Sequence, residues 1–251
     1  MDTETHIRRL FGHTCKRFGL LTDGDRVLVG LSGGKDSLAL LQLLAERSRV
    51  WVPRFTVEAC YVRMQNIPYQ SDEAWLRDFC EGLGVPLHVA TTAFDPTTDH
   101  RHTPCFLCSW QRRKQLFETA KRLRCNKIAL GHHLDDVMQT AILNLTYQGS
   151  FGSMPPALKM DKFEMTIIRP LCRIRERELQ VWAETHGYLK QPHTCPYEHD
   201  SRRTDARRII KELEAMNPEL ADSFVHALEK TPVTSAGRGE GPPCPPVGGG
   251  G

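Results

Sequence analysis

Val27-Leu28-Val29-Gly30-Leu31-Ser32-Gly33-Gly34-Lys35-Asp36-Ser37 is the stretch that decides the fold. An apolar run with strand character enters a Gly-Gly turn, and Leu38 to Ala45 continue as a leucine-rich helix. Strand, glycine turn and helix start, in that order, aim backbone N–H groups and a helix N-terminus at one point, which makes an anion site. Gly33 and Gly34 let the backbone approach a phosphate closely. Lys35 adds a point charge, and Ser32 and Ser37 add hydroxyl donors. Asp36 would repel a phosphate unless a cation stood between them, and Mg²⁺ prefers that mixture of carboxylate and phosphate oxygens. The spacing excludes a Walker A loop, with its four residues between the first Gly and Gly-Lys. It also excludes the three spaced glycines of a dinucleotide fingerprint.

Working outward, strand patterns alternate with helical ones. Phe55 to Val62, Pro86 to Thr92, Lys127 to Leu130 and Thr166 to Ile168 read as strands. Helices are expected from Ser71, as cap, to about Gly84, over Phe106–Leu123, over Asp135–Tyr147 and over Glu176–His186. That alternation predicts an α/β fold with a doubly wound parallel sheet. Ser201 to Met216 and Pro218 to Leu228 read as a C-terminal helix pair. The expected organisation is a helical segment over 1–24, an α/β domain over 25–190, a helical extension over 191–230 and a disordered Pro/Gly/Ser-rich tail over 231–251.

The chain has 251 residues, 40% of them apolar, and a net charge of only +3. It can bury a sizeable core and is no global polycation. Its arginines are clustered, however, and Arg112, Arg113, Arg202, Arg203, Arg207 and Arg208 are expected to meet RNA phosphates, with ordinary solvated helix faces as the alternative. Neither a signal peptide nor a membrane span is legible, so a cytoplasmic protein without a membrane partner is expected. Nine cysteines in such a chain argue against a disulfide scaffold. Cys60, Cys80 and Cys125 fall in or beside strand and helix patterns and read as structural; Cys244 falls in the tail.

Two further motifs carry chemistry. Gly131-His132-His133-Leu134-Asp135-Asp136 follows the fourth strand pattern, where an open parallel sheet binds ligands. Its imidazoles and carboxylates could hold a metal or phosphates; a helix cap is the simpler alternative. Cys105-x-x-Cys108 opens the basic helix, with its thiols three apart on one turn, and Cys195 stands in Pro192-His193-Thr194-Cys195-Pro196-Tyr197.

The run from Ser32 to Ser37 resembles the PP-loop, S-G-G-x-D-S, of the ATP pyrophosphatases, which split ATP between its α and β phosphates and adenylate an oxygen. In that superfamily a G-H-H-x-D-D segment lies beside the nucleotide. With Cys105, Cys108, Cys195, Met154-Pro155, Arg169-Pro170-Leu171 and Glu176, the chain from about Val27 to Pro218 resembles the tRNA 2-thiocytidine synthetase (TtcA) family. It departs from the best-known members at two points. Leu134 stands where they carry Arg, and Pro-Tyr-Glu-His-Asp-Ser-Arg-Arg follows Cys195 in place of an Asn-Leu-Cys-Gly type of ending.

The resemblance implies an adenine nucleotide alpha hydrolase-like fold. It implies ATP held by Ser32, Gly33, Gly34, Lys35, Asp36, Ser37, Gly131, His132, Asp135 and Asp136, with Lys35 and Asp36 catalytic. Mg²⁺ is expected on Asp36 and Asp135. It further implies a 4Fe-4S cluster on Cys105, Cys108 and Cys195, with one iron open to sulfide. The expected reaction is thiolation of a tRNA cytidine at position 32, with a cysteine desulfurase-type sulfur donor and a homodimer as a permitted assembly. A 2-thiouridine-type sulfurtransferase is one competing reading. The other is a non-catalytic RNA-binding module whose three cysteines and His193 close around structural zinc.

Overall fold

The computed structural model describes residues 2–50, 52–67, 71–95, 103–160, 164–190, 201–230 and 234–235. The elements run α1 (Thr3–Arg17), β1 (Arg26–Leu31), α2 (Lys35–Ser48), β2 (Thr56–Met64), α3 (Glu73–Gly82) and β3 (Leu87–Thr92). They continue with α4 (Pro104–Arg122), β4 (Lys127–Ala129), α5 (Leu134–Gln148), β5 (Ala157–Lys159), β6 (Thr166–Ile168) and α6 (Glu176–Thr185). Last come α7 (Ser201–Met216), α8 (Leu220–Lys230) and β7 (Thr234–Ser235). The sheet order is β3-β2-β1-β4-β6-β5-β7. The first five are parallel to one another, β5 is antiparallel to β6, and β7 follows β5.

This is the doubly wound sheet expected from the sequence, and strand alternation shows why it holds. Val27, Val29 and Leu31 of β1, with Val57, Ala59 and Tyr61 of β2, pack into one core with α1, α2, α3 and α6. Leu28 of β1, with Cys60, Val62 and Met64 of β2, points to the other face, against α4. Both faces are buried, so the strands read as nearly continuous apolar runs. Gly30 on the α4 side leaves room for its neighbours: a Cβ there would lie 3.2 Å from both Leu116 Cδ1 and Leu130 Cδ2. Trp182 of α6 is fully buried in the first core with Ile7 and Phe11 of α1. A third cluster joins Leu134, Val137 and Met138 of α5 to Ile210 of α7 and Leu228 of α8.

Three expectations need correction. Ser71 is not the cap of α3: Asp72 is, its side chain accepting from Trp75 N–H at 3.0 Å. No strand is expected between the fourth strand pattern and Thr166, yet β5 lies there and pairs antiparallel to β6. The tail expected to lack structure contains the two residues of β7, Thr234 and Ser235, paired with Leu158 and Lys159. Ala157-Leu158-Lys159 lacks the β-branched run that marks Thr166-Ile167-Ile168, and two residues make no pattern at all.

The chain leaves β1 toward β2 and β3, then returns across the sheet to lay β4 on the other side of β1. The C-terminal ends of β1 and β4 therefore flank the crevice where a doubly wound sheet binds ligands. The opposite ends are tied by a buried ion pair. Lys127 Nζ donates to Asp25 Oδ2 at 2.6 Å and to Leu20 O at 2.7 Å. Burial opposes ionisation of Asp25, but Lys127, the Thr22 N–H and Asn126 outweigh it and hold its pKa below the ordinary 3.8.

Breaking one side of a buried pair costs about 3–5 kcal/mol. Lys127→Met is expected to lose that much in urea unfolding, and Asp25→Asn/Lys127→Met to recover part of it. The lowered pKa of Asp25 means its stabilisation is complete above the ordinary value and is lost as pH falls through the lowered one. The acid arm of stability against pH should therefore be shallower in Asp25→Asn than in the wild type.

Candidate functional site

The glycine turn closes on itself. Gly33 takes a φ of +84°, in the left-handed region that glycine enters without steric cost. Ser37 Oγ donates to Gly34 O at 2.9 Å and accepts from Ser32 N–H at 3.1 Å, and the two hydroxyl oxygens are 3.1 Å apart. Gly34 N–H reaches Ser32 Oγ at 3.3 Å. Ser71, on the segment before α3, steadies the turn from outside: its Oγ donates to Ser32 O at 2.9 Å, and its N–H is held by Tyr61 Oη at 3.1 Å. Sequence reasoning missed this role because Ser-Asp offers two candidate caps and the pattern cannot choose between them. The first amides of α2, which no helix can satisfy internally, open at this turn.

Gly131 brings the end of β4 against the turn. A Cβ on it would lie 3.1 Å from Asp36 C, Asp36 O and Ser37 N, all backbone. Val29 and Ala129 are paired in the sheet, so this approach follows directly from the register. His133 then caps α5: its Nδ1 accepts from Asp136 N–H at 3.4 Å, and Asp136 Oδ2 accepts from His133 N–H at 3.1 Å. The cap and the site thus share the same residues.

The three carboxylates are placed differently. Asp135 Oδ1 accepts from Arg175 Nε and Nη2 at 3.1 and 2.9 Å, and its Oδ2 accepts from Glu176 N–H at 2.6 Å. Both oxygens are thus engaged in seating α6, which speaks against the Mg²⁺ contact expected of Asp135. Burial resists its ionisation, but Arg175 and the Glu176 N–H hold its pKa below normal. Arg175 also reaches Glu214 of α7 at 2.7 Å, so one guanidinium joins α5, α6 and α7. Asp36 is the reverse case. Lys35 Nζ lies 3.2 Å from Oδ1 and 3.3 Å from Oδ2, but its direction suits a hydrogen bond only to Oδ2. Asp36 Oδ1 is left buried without a hydrogen-bond partner. Burial, with the charge of Asp136, raises the pKa of Asp36 against the opposing Lys35 and His133.

Lys35 also meets Glu176 Oε1 at 3.2 Å, and although burial works against its charge, Asp36 and Glu176 hold its pKa above normal. A cavity of about 450 Å³ opens beside the turn. It is lined by Gly33 to Asp36 and by Gln180, Ala183 and Glu184 of α6, with residues 187–190 completing it. That is the size of a small-molecule pocket. It touches the α6 side of the turn and does not include His132 or Asp136. His132 is half-buried, its Nδ1 lacks a partner, and its pKa is pushed down to about 4, by burial first and then by the charge of Arg169. It is neutral near pH 7.

The cysteines divide by surroundings. Burial pushes the thiols of Cys15 and Cys172 up to about 12 and those of Cys60 and Cys80 up to about 11. Cys105 is exposed and Cys108 half-buried, on the first turn of α4 behind the Thr103 cap. Cys195, and His193 with it, lies outside the described residues, as does Cys244. Of the six arginines expected to meet RNA, Arg112 and Arg113 are half-buried on α4, while Arg203, Arg207 and Arg208 are exposed on α7. Arg202 lies 4.8 Å over the Tyr147 ring, and Arg208 pairs with Glu212 at 2.9 Å.

Gly131→Ala tests the close approach. The added methyl must push backbone, so stability should fall by about 1–3 kcal/mol in urea unfolding. The turn should open enough to weaken ATP binding by about tenfold or more in calorimetry, equivalent to about 1.4 kcal/mol.

Comparison with known proteins matches this geometry. A family profile described as a PP-loop domain matches residues 3–207. A tRNA-cytidine(32) 2-sulfurtransferase of Bdellovibrio bacteriovorus is 34% identical over 222 residues, covering 87% of this chain and 85% of that one. One from Neisseria gonorrhoeae is 34% identical over 228 residues, covering 89% of this chain and 71% of its own. Among solved structures, the U34-tRNA thiolase NcsA of Methanococcus maripaludis, with its [4Fe-4S] cluster, superposes with a TM-score of 0.71 at 29% identity. That match covers 91% of this chain and 79% of the thiolase. A glycine turn closed by its own serines, a β4 end pressed against it and these relatives agree: the chain belongs to the PP-loop family, in the group of the tRNA-cytidine(32) 2-sulfurtransferases.

Proposed function

We propose that this protein is a cytoplasmic, ATP-dependent tRNA thiolase that replaces the C2 oxygen of cytidine 32 by sulfur. The observation that carries the reading is the buried Oδ1 of Asp36, ion-paired with Lys35 at 3.2 Å but without a hydrogen bond, at a closed glycine turn beside Gly131. A buried carboxylate oxygen without a hydrogen bond is costly, and Mg²⁺ held by Asp36 would offset that cost. Mg²⁺ on Asp36 would neutralise charge on the departing pyrophosphate.

The turn amides and the hydroxyls of Ser32 and Ser37 hold the phosphates, and Lys35 exchanges its carboxylate partners for them. The base oxygen attacks the α-phosphorus, the bond to the bridging oxygen breaks, and pyrophosphate leaves. Sulfide, released from the persulfide of a cysteine desulfurase-type donor by a thiol reductant that is oxidised to a disulfide, then attacks the activated carbon, and AMP leaves. Gly131 and His132 line the β4 side of the site. Asp135 positions α6 through Arg175 and Glu176, and Asp136 holds the α5 cap. A 4Fe-4S cluster would be held by the exposed Cys105 and the half-buried Cys108, with Cys195 as the third ligand, and would supply an open iron position for sulfur. Arg112, Arg113 and the α7 arginines steer the tRNA by its phosphates, and the target base must be unstacked to enter. Two copies of the chain acting together are compatible with this reading.

Asp36→Ala is expected to fold, by circular dichroism, and to lose RNA-dependent pyrophosphate release by roughly 10²–10³-fold, the scale of one preorganised electrostatic contact. Wild-type-like release from the folded variant would reject the assignment. Nucleoside mass spectrometry should show 2-thiocytidine formed with wild type only. Finding 2-thiouridine instead would move the substrate to the uridine named for the structural relative.

Anaerobically purified protein should be brown, with iron and acid-labile sulfide in equal amounts, both lost in Cys105→Ser and Cys108→Ser. Colourless, active protein carrying stoichiometric zinc would sink the cluster.

A further inference from the structure

Among the described residues, two cations enclosed by the fold show the usual match to carboxylates. Lys127 has Asp25, and Arg175 has Asp135 and Glu214. Arg169 is only 3% exposed, yet among the described residues it pairs with no carboxylate. Its Nη1 donates to Pro155 O at 2.7 Å, its own N–H donates to Pro156 O at 2.8 Å, and its Nε is buried without a partner. Cys172 nearby is no counter-ion, because burial pushes its thiol up to about 12 and keeps it neutral.

The surroundings deepen the imbalance. Arg169 follows β6 directly, at the sheet end where Leu130 N–H bonds Ile168 O at 3.0 Å. Two residues beyond Leu130 stands His132, whose Nδ1 is also unpartnered. Arg169 and Arg203 both press on His132, and Arg113 of α4 presses on Arg169. Arg112, beside it, has a buried Nε with no partner as well. Several unsatisfied donors and an uncompensated buried charge thus converge at the C-terminal ends of β4 and β6. A folded chain keeps such a charge at a loss unless an anion joins it. A guanidinium fork matches a phosphate's oxygens better than a point charge does.

We propose that Arg169, with Arg113, forms a second phosphate site, separate from the glycine turn. The carrier of that phosphate is either the RNA backbone beside the reacting nucleotide or the nucleotide itself. Only the naming of these two carriers rests on the proposed function; the site rests on the unmatched cation.

The test uses the full chain and inorganic phosphate as the probe. Lys35→Ala weakens the glycine turn, so phosphate-induced thermal stabilisation that survives in it reports the second site. That stabilisation should vanish in Lys35→Ala/Arg169→Gln, where glutamine keeps an amide donor for Pro155 O. Without phosphate, Arg169→Gln should melt no lower than wild type, because it removes an unmatched charge. ATP and tRNA binding to Arg169→Gln then separate the carriers. A tRNA salt slope reduced by about one identifies the RNA backbone. A roughly tenfold weaker ATP affinity at an unchanged slope identifies the nucleotide. Arg169→Lys should keep the salt slope.

If Arg169→Gln does not fold, Arg113→Gln, which gives up a 3.4 Å hydrogen bond to Ser109 Oγ, should lower the phosphate response in the same background. Undiminished phosphate stabilisation in the double variant, with unchanged ATP and tRNA affinities, overturns the proposal and leaves Arg169 a staple for Pro155. Should wild type form no thiolated nucleoside while the phosphate response still depends on Arg169, the functional reading fails and the site stands.

Discussion

The approach of Gly131 to the first turn of α2 is the constraint on which the site depends. A side chain there would meet three backbone atoms at 3.1 Å, and backbone in a hydrogen-bonded turn cannot swing aside as a flexible side chain can. The parallel register of β1 and β4 delivers the two segments side by side, and the missing Cβ sets how near they come. His132, His133 and Asp136 leave the sheet from that fixed point. The reversal of strand order chooses the crevice; one glycine sets its width.

Within the crevice, electrostatics sets two carboxylates apart: both oxygens of one are engaged in the scaffold, and only one oxygen of the other is hydrogen-bonded. Asp135 accepts from a guanidinium and a helix amide, and hydrogen bonds to charged groups contribute about 1.5–3 kcal/mol each. Drawing it onto a cation would forfeit that and unseat α6. Asp36 has only its neighbour Lys35 to lose, and half of its carboxylate is already unsatisfied. Their pKa values move in opposite directions, Asp135 down and Asp36 up, which marks the same division. Both begin helices and both are acidic, so sequence type alone cannot separate them.

How much was legible follows from the range of each interaction. The strand–turn–helix run from Val27 to Ala45 and the strand at Thr166–Ile168 are local patterns, and the structure keeps them. Ser71 acts on Ser32, 39 residues away, and Arg175 acts on Asp135, 40 away. Neither leaves a local trace. Leu134 is the instructive case. It stands where the resemblance implies Arg in the best-known members of the family, and it is 2% exposed, in the apolar cluster of α5, α7 and α8. A charged residue there would have to leave that cluster or be matched within it, so the departure belongs to packing and not to the nucleotide turn.

The same reasoning sorts the cysteines better than their number does. A thiol binds metal as thiolate, and burial in apolar surroundings opposes that ionisation. Cys15, Cys60, Cys80, Cys125 and Cys172 all have raised pKa values with burial as the first cause. They fill cores on either side of the sheet and are held in the form least suited to a cluster. Cys105 is exposed behind the Thr103 cap of α4, and Cys108, one turn on, is only half-buried where it packs against the core that holds Leu28 and Met64. The fold therefore makes five thiols inert, and among the described cysteines it leaves Cys105 and Cys108, at i and i+3 on α4, with access to solvent.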